Sequence, residues 1–362
     1  MKKSLLSVAV LATVCGTAHA QSSVTLYGVI DEGFDFTSNA GGKRAYELAS
    51  GVLQGNRWGL KGTEDLGGGL RAIFQLENGF SLNSGALGQG GREFGRQAYV
   101  GLSSNSAGTV TLGRQYDSMV DYVGPLTANG SWGGTFFSHP LDNDNTNNSF
   151  RINNSIKYTS VNYGGFSFGG LYGFSNEPGS QGNNRAWSLG ASYDNGPLKA
   201  AAAYLQLNRP GTTSYGAVTS DANFVADRQR VAGAGVNYTF GMVTLGGVFT
   251  YTNLNNTGAL SSLIFTNYEV NARFALTPAL SLGAMYDYTH VRAGAQSGAV
   301  GKGHWNQAGV MADYALSKRT DVYGQVVYQQ GQGIAPTYIS GTSGVSSNDH
   351  QVVTRVGIRH KF

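Results

Sequence analysis

The sequence predicts an all-β chain, a 16-stranded antiparallel transmembrane β-barrel with a long, inward-folded third loop. Three observations predict it. Apolar and polar residues alternate with a period of two in short runs bounded by turn residues, the pattern of strands. After residue 20 no apolar stretch reaches the roughly 20 residues of a membrane helix. The connections alternate in length, short then long, as in an up-and-down barrel.

Composition agrees. The chain holds 54 Gly, 20 Tyr and 17 Phe in 362 residues, with only 7 Pro and 13% charged residues. Glycine at about twice its usual share, with Tyr and Phe, favours strands and tight turns. Mean hydropathy is slightly negative. A barrel hides its apolar surface from hydropathy windows because polar lumen residues alternate with it, so a membrane barrel stays open beside a water-soluble all-β protein.

Residues 1–20 read as a secretory signal. Lys2 and Lys3 form the charged region, Leu5–Val14 the short apolar core, and Ala18-His19-Ala20 the small-x-small cleavage site. Cys15 is the only cysteine, and the bulky Val14 before it disfavours lipoprotein processing. Residues 21–362 are then free of cysteine, so disulfides are excluded. Removing Lys2 and Lys3 from 25 basic residues leaves 23 against 21 acidic ones, a net charge of +2. That balance, without a basic run, argues against nucleic acid.

In chain order, Ser23–Thr37 sets Val24, Leu26 and Ile30 against Thr25, Tyr27 and Asp31. Asn56–Gly62 sets Trp58 and Leu60 against Arg57 and Lys61. A turn at Thr63–Gly69 follows, and then Leu70, Ala72, Phe74 and Leu76 oppose Arg71, Ile73, Gln75 and Glu77. The same reading places strands near 23–37, 52–62, 69–80, 93–103, 108–116, 150–160, 165–176 and 185–195. It continues with 197–207, 228–240, 242–254, 266–277, 279–292, 303–317, 319–331 and 350–362. Long connections fall at about 38–51, 81–92, 117–149, 177–184, 208–227, 255–265, 293–302 and 332–349. Those at 208–227 and 332–349 are rich in Ser, Thr and Gly and are expected to be exposed. In the last run, Val352, Val356, Ile358 and Phe362 share a face opposite Arg355, Arg359 and Lys361. In a barrel this strand must close against the first, leaving no edge open in lipid.

The stretch Asp117–Ser149 interrupts the pattern. A structureless connection of this length in a compact domain is functional or disordered, and Tyr122, Trp132, Phe136 and Phe137 argue against disorder. It carries Asp117, Asp121, Asp142 and Asp144 and no Lys or Arg. The expected arrangement is a loop folded into the mouth of the barrel, where it narrows a pore.

Six segments carry a family resemblance: SSVTLYGVID (22–31), NRWGLKGTEDLGGGLRAIFQLE (56–77), TVTLGRQYD (109–117), YDNGPL (193–198), LSKRTDVYG (316–324) and VGIRHKF (356–362). On these the chain resembles the trimeric general porins of Gram-negative outer membranes, in the neisserial and β-proteobacterial branch. The resemblance implies an outer-membrane homotrimer that passes small hydrophilic solutes and ions by diffusion, with no cofactor and no catalysis. It also implies contact with outer-membrane lipid and lipopolysaccharide, and an arginine cluster facing the third loop. Phe362 looks like the signal read by the barrel-assembly machinery.

By context, Arg57, Arg96 and Arg151 match that cluster. Alternation gives a lumen side for Arg57, opposite Trp58 and Leu60, and for Arg151, opposite Ile152 and Ile156. For Arg96 it is ambiguous, because Ala98 and Val100 share its face while Tyr99 lies opposite. Lys61, Arg71, Arg114 and Lys157 are secondary wall candidates. Trp58, Tyr99, Tyr158 and Phe362 are expected on outward faces. The enterobacterial PEFGG segment is missing from the loop. Asp121 is the first choice for an acid facing the pore and Asp117 the second, with Asp142 and Asp144 as anchors of the loop exit. Charge rings of either sign tune ion selectivity, and a weak anion preference follows if arginines outnumber exposed loop acids.

Other signals carry less. Gly165–Gly169 fits G-x-S-x-G, but strand rather than helix follows it. Asp142–Asn147 begins like a calcium loop but lacks the sixth-position glycine and distal glutamate. His139, His290, His304, His350 and His360 show no metal-ligand spacing on one strand face. Two competing readings are a solute-specific channel and an adhesin or receptor barrel acting through its loops.

Overall fold

The structure is a computed structural model, which describes residues 22–362 apart from 214. The signal segment 1–20 lies outside the described residues. The chain closes into an antiparallel barrel of 16 wall strands. They are β1 (Ser23–Ala40), β2 (in two pieces, Lys43–Ser50 and Arg57–Gly67), β3 (Leu70–Gly79), β4 (Gln97–Ser104) and β5 (Gly108–Gln115). After the third loop come β6 (Ile152–Thr159), β7 (Phe166–Gly173), β8 (Ala186–Asn195), β9 (Leu198–Asn208), β10 (Arg228–Phe240) and β11 (Val243–Asn255). The wall ends with β12 (Leu260–Ala275), β13 (Leu280–Ala295), β14 (Val300–Ala315), β15 (Thr320–Gly333) and β16 (His350–Lys361).

Both pieces of β2 pair with β1, Glu32–Ala40 against the first and Ser23–Val29 against the second. Between them residues 51–56 leave the wall and dip inward, burying Val52 and Leu53. Asp31 holds this excursion, its Oδ2 accepting from the amides of Leu53 (2.7 Å) and Gln54 (3.1 Å). The other edge of β1 closes the barrel against β16, from Val29 opposite Lys361 to Thr37 opposite Val353. Every wall strand thereby pairs with a neighbour on both edges, as a span through lipid demands.

The alternation read from sequence sorts the faces. Val24, Leu26, Val356 and Ile358 are strongly exposed on the outer surface, while Asp31, Asp35, Gln325 and Arg355 are buried inside. Tyr99 departs from expectation: its hydroxyl donates to Gln75 Oε1 at 2.8 Å, on the lumen side. Val100 and Leu102 are the outward residues of that strand.

Three connections are much shorter than the sequence suggests. The first is the turn Gly41-Gly42 between β1 and β2, and those after β11 and β13 are residues 256–259 and 296–299. The strands run on past the ends that the sequence pattern suggests, β2's first piece carrying Tyr46 and Leu48 outward. Loops 209–227 and 334–349 are not simply exposed either. Ala217, Val218 and Thr219 from one, and Thr337 and Ile339 from the other, are buried.

The apolar core lies inside the barrel, where the third loop meets the wall. Met119, Val123 and Leu126 pack on Leu205, Leu207 and Val231. Phe136 and Phe137 pack on Met285, Met311 and Val327. The loop is not structureless; it folds as five one-turn helical segments, at Met119–Val123, Gly124–Leu126, Asn129–Gly133, Thr135–Phe137 and Pro140–Asp142. No helix among the described residues is long and apolar enough to cross a membrane.

Candidate functional site: a basic constriction in the lumen

Beside the apolar contacts, amides and carboxylates on the inward wall fix the loop by its backbone. Glu269 Oε1 accepts from the amide of Ala128 at 2.7 Å. Asn271 donates to Leu126 O, Gln307 to Ser138 O, and Gln325 to Gly133 O, at 3.1, 3.0 and 2.7 Å. The excursion of β2 joins them, the amide of Thr135 donating to Val52 O at 2.8 Å.

His139 is the deepest anchor. Its Nδ1 lies 2.6 Å from Asp144, and its Nε2 lies 3.2 Å from Glu269 and 3.7 Å from Asp287, all with no exposed side-chain surface. Burial alone would push the imidazole pKa down, but the carboxylates of Asp144, Asp287 and Glu269 outweigh it and raise it well above the ordinary value. An imidazolium therefore clasps the loop to β12 and β13. Asp142 binds the loop exit, accepting from the amides of Asn147 and Ser149 and, at 2.6 Å, from the Ser149 hydroxyl.

The loop acids are thus spent on holding the loop in place, against itself and against the wall. Asp117, an expected pore-facing residue, is fully buried and caps the first turn: it accepts from the amide of Met119 and from Asn145, both at 2.7 Å. Burial pushes its carboxyl up to about 6. Its position immediately after a strand made it look like a lumen residue, but that is also where a turn needs a capping acceptor. Asp121 is part-exposed and ion-paired with Lys157 of β6.

What remains open is a lumenal cavity of about 680 Å³, bordered by the excursion of β2 and one edge of the loop. Six cations line it: Arg57, Arg96, Arg151, Arg273, Arg359 and Lys361. Asp313 is the single acid. Arg96 precedes β4, so strand parity does not govern it. It donates to Glu77 Oε1 at 2.8 Å and to the Tyr116 hydroxyl at 3.1 Å. Arg151 also precedes its strand, and the parity argument fails for it. Left-handed Asn154 (φ 50°) breaks the alternation, so Ile152 is buried inside while Ile156 is exposed outside. Arg151 reaches the cavity nonetheless, its guanidinium 5.6 Å from the centre of the Tyr116 ring. Arg359 pairs with Asp321 at 2.9 Å. Among the described residues no salt bridge uses Arg57, Arg151, Arg273 or Lys361.

The secondary candidates scatter. Lys61 sits over the Tyr27 ring at 5.4 Å. Arg71 is exposed near a short turn, bonded to Asn105 at 2.8 Å. Arg114 does not border the cavity; it is buried, donating to Gly95 O at 2.8 Å and pairing with Asp221 at 2.7 Å. Sequence reasoning passed over Arg273 and the excursion of β2. Arg273 shares the parity of Glu269 and Asn271 and could have been found that way. The excursion gives no periodic signal.

A family model described as Gram-negative porin matches residues 7–333 of the chain. An outer membrane porin protein of Bordetella pertussis is 38% identical over 271 residues, covering 68% of each chain. Outer membrane porin protein 32 of Delftia acidovorans is 31% identical over the full length of both. A solved structure, the anion-selective porin from Comamonas acidovorans, superposes with a TM-score of 0.76 at 27% identity. That match covers 94% of this chain and 100% of the other.

Proposed function

The chain belongs to the family of Gram-negative porins, and from that premise we propose that its constriction favours anions. As an outer-membrane porin it forms a water-filled channel through which small hydrophilic solutes and ions diffuse passively. The observation that carries the anion preference is the lining of the cavity, six cations to one acid. Glu77 and Asp321 offset Arg96 and Arg359, which leaves Arg57, Arg151, Arg273 and Lys361 to set the local potential. A low-dielectric wall focuses that field across the narrow lumen. Arg57, Arg96 and Arg151 are its constriction residues in this reading. Asp121 is muted by Lys157, and Asp117 serves the loop.

The Comamonas relative, described as anion-selective, supports the same sign. We read the chain as a channel alone, with no catalytic step. We also read it as a homotrimer whose outward apolar residues on β1 and β2, such as Leu26, Phe34 and Leu48, meet a neighbouring protomer. Phe362 is proposed as the segment presented to the assembly machinery. Planar-bilayer recording tests the channel and the trimer together. Conductance in triplet steps is expected, and conductance blocked by micromolar amounts of one solute would instead indicate a solute-specific channel.

A further inference from the structure

A crevice opens off the lumenal cavity where the third loop rests on the wall. Trp132 of the loop lines it, with Arg273, Ser281, Gly283, Met311 and Asp313 of β12–β14. Trp132, Arg273 and Asp313 border the main cavity as well, so the crevice is reached from the pore.

A glycine makes room for it. Gly283 of β13 lies in register between Arg273 of β12 and Met311 of β14. The benzo ring of Trp132 occupies the space a side chain would fill, and a Cβ at Gly283 would overlap it. The indole also meets Phe137 edge-on, ring centres 5.0 Å apart at 65°. Trp132 is half-buried, so part of its ring faces the lumen. One row further along, Ser281 pairs with Asp313. Arg273, exposed in the lumen, donates to the Ser281 hydroxyl at 3.4 Å. A cation and an acid thus stand on opposite sides of β13, two inter-strand spacings or about 10 Å apart across the sheet. The indole lies on the strand between them.

The protein answers neither charge. No salt bridge among the described residues uses Arg273 or Asp313. Asp313 Oδ1 is buried and has no hydrogen-bond partner among them. Of the nearby cations, Arg359 is held by Asp321, and Lys361 borders the cavity but not the crevice.

We propose that this crevice is a weak binding site for a small zwitterion, a quaternary-ammonium carboxylate of the betaine class. Its carboxylate sits on Arg273 and the Ser281 hydroxyl. Its methylated ammonium sits against the Trp132 ring, with Asp313 as counter-charge. A simple anion gains Arg273 but is repelled by Asp313. A simple cation gains Asp313 but is repelled by Arg273 and by the excess of lumenal cations. A molecule that carries both charges satisfies both groups. The crevice is open to the lumen, so binding is brief and diffusion continues. The site rests on the channel reading but not on anion selectivity.

The test compares two solutes of the same shape on the wild-type channel in planar bilayers. Glycine betaine and tert-butylacetate differ by a nitrogen in place of a carbon, and so by the positive charge alone. Each is titrated against potassium chloride conductance. The half-blocking concentration of the betaine should be about fivefold lower, as a cation–π contact of about 1 kcal/mol gives. Asp313→Asn should raise the betaine value about fivefold and leave tert-butylacetate no weaker. Trp132→Leu should raise the betaine value about threefold, and Gly283→Val, which evicts the indole from its seat, should do the same. Equal or tighter block by tert-butylacetate in the wild type overturns the proposal, and that comparison needs no variant to assemble. An unchanged betaine value in Asp313→Asn or in Trp132→Leu overturns it too. The channel reading is judged separately by potassium chloride conductance without added solute, and the anion preference by its reversal potential.

Discussion

The guanidinium of Arg151 lies over the ring of Tyr116, and the hydroxyl of that tyrosine accepts from Arg96 and donates to Glu77. One aromatic side chain thus spaces two arginines along the cavity. A unit charge about 4 Å from a passing ion is worth about 1 kcal/mol in water, up to roughly a fivefold change in relative permeability. Arg57→Gln and Arg151→Gln should each lower the anion-to-cation permeability ratio by a few-fold, and the double variant by more. Reversal potentials under a salt gradient measure this; no shift in the double variant would remove both residues from the selectivity filter.

Glu77 should act in the opposite sense. Tyr27, Arg96 and Tyr116 all bond its carboxylate. Glu77→Gln leaves Arg96 buried without its counter-charge, a loss of about 3–5 kcal/mol for a broken buried pair. The anion preference should rise while the unfolding temperature falls. A variant that loses stability without gaining anion preference would show that Arg96 does not act on passing ions.

The His139 clasp should be sensitive to alkali. Its pKa is raised in the folded channel, so its stabilisation is fully present below the ordinary value of 6.5 and is lost as pH rises through the raised value. Single-channel noise from the third loop should therefore grow on the alkaline side, and His139→Gln should bring that noise to neutral pH. Noise that grows only in acid would contradict the assignment.

Barrel closure is tested at Gly28. It exchanges two backbone hydrogen bonds with Phe362, at 3.0 and 3.1 Å. A Cβ there would lie 2.3 Å from the Phe362 ring and 2.8 Å from Arg57 O. Gly28→Val should lower the yield of heat-modifiable barrel on semi-native gels, whereas Gly247→Leu on the outer wall should not.

The wall was legible because lipid outside and water inside impose a strict period of two, as at Tyr27, which bonds Glu77 inside the barrel, beside Leu26, exposed on the outside. Legibility ended where one of those solvents was missing. Residues 43–50 read as loop, although they pair with β1 and turn Tyr46 and Leu48 outward. Arg96 and Arg151 lie beyond strand ends, where parity means nothing; the family resemblance pointed to both, and the alternation argued for Arg151 does not hold there. Asp117 looked like a pore acid because the sequence does not say which backbone amides a loop must satisfy on its own.

The most direct measurement is the zero-current potential of the wild-type channel in a planar bilayer under a tenfold potassium chloride gradient. The account predicts the sign of net chloride selectivity, carried by the excess of lumenal cations over Asp313. A potential of the opposite sign would contradict it.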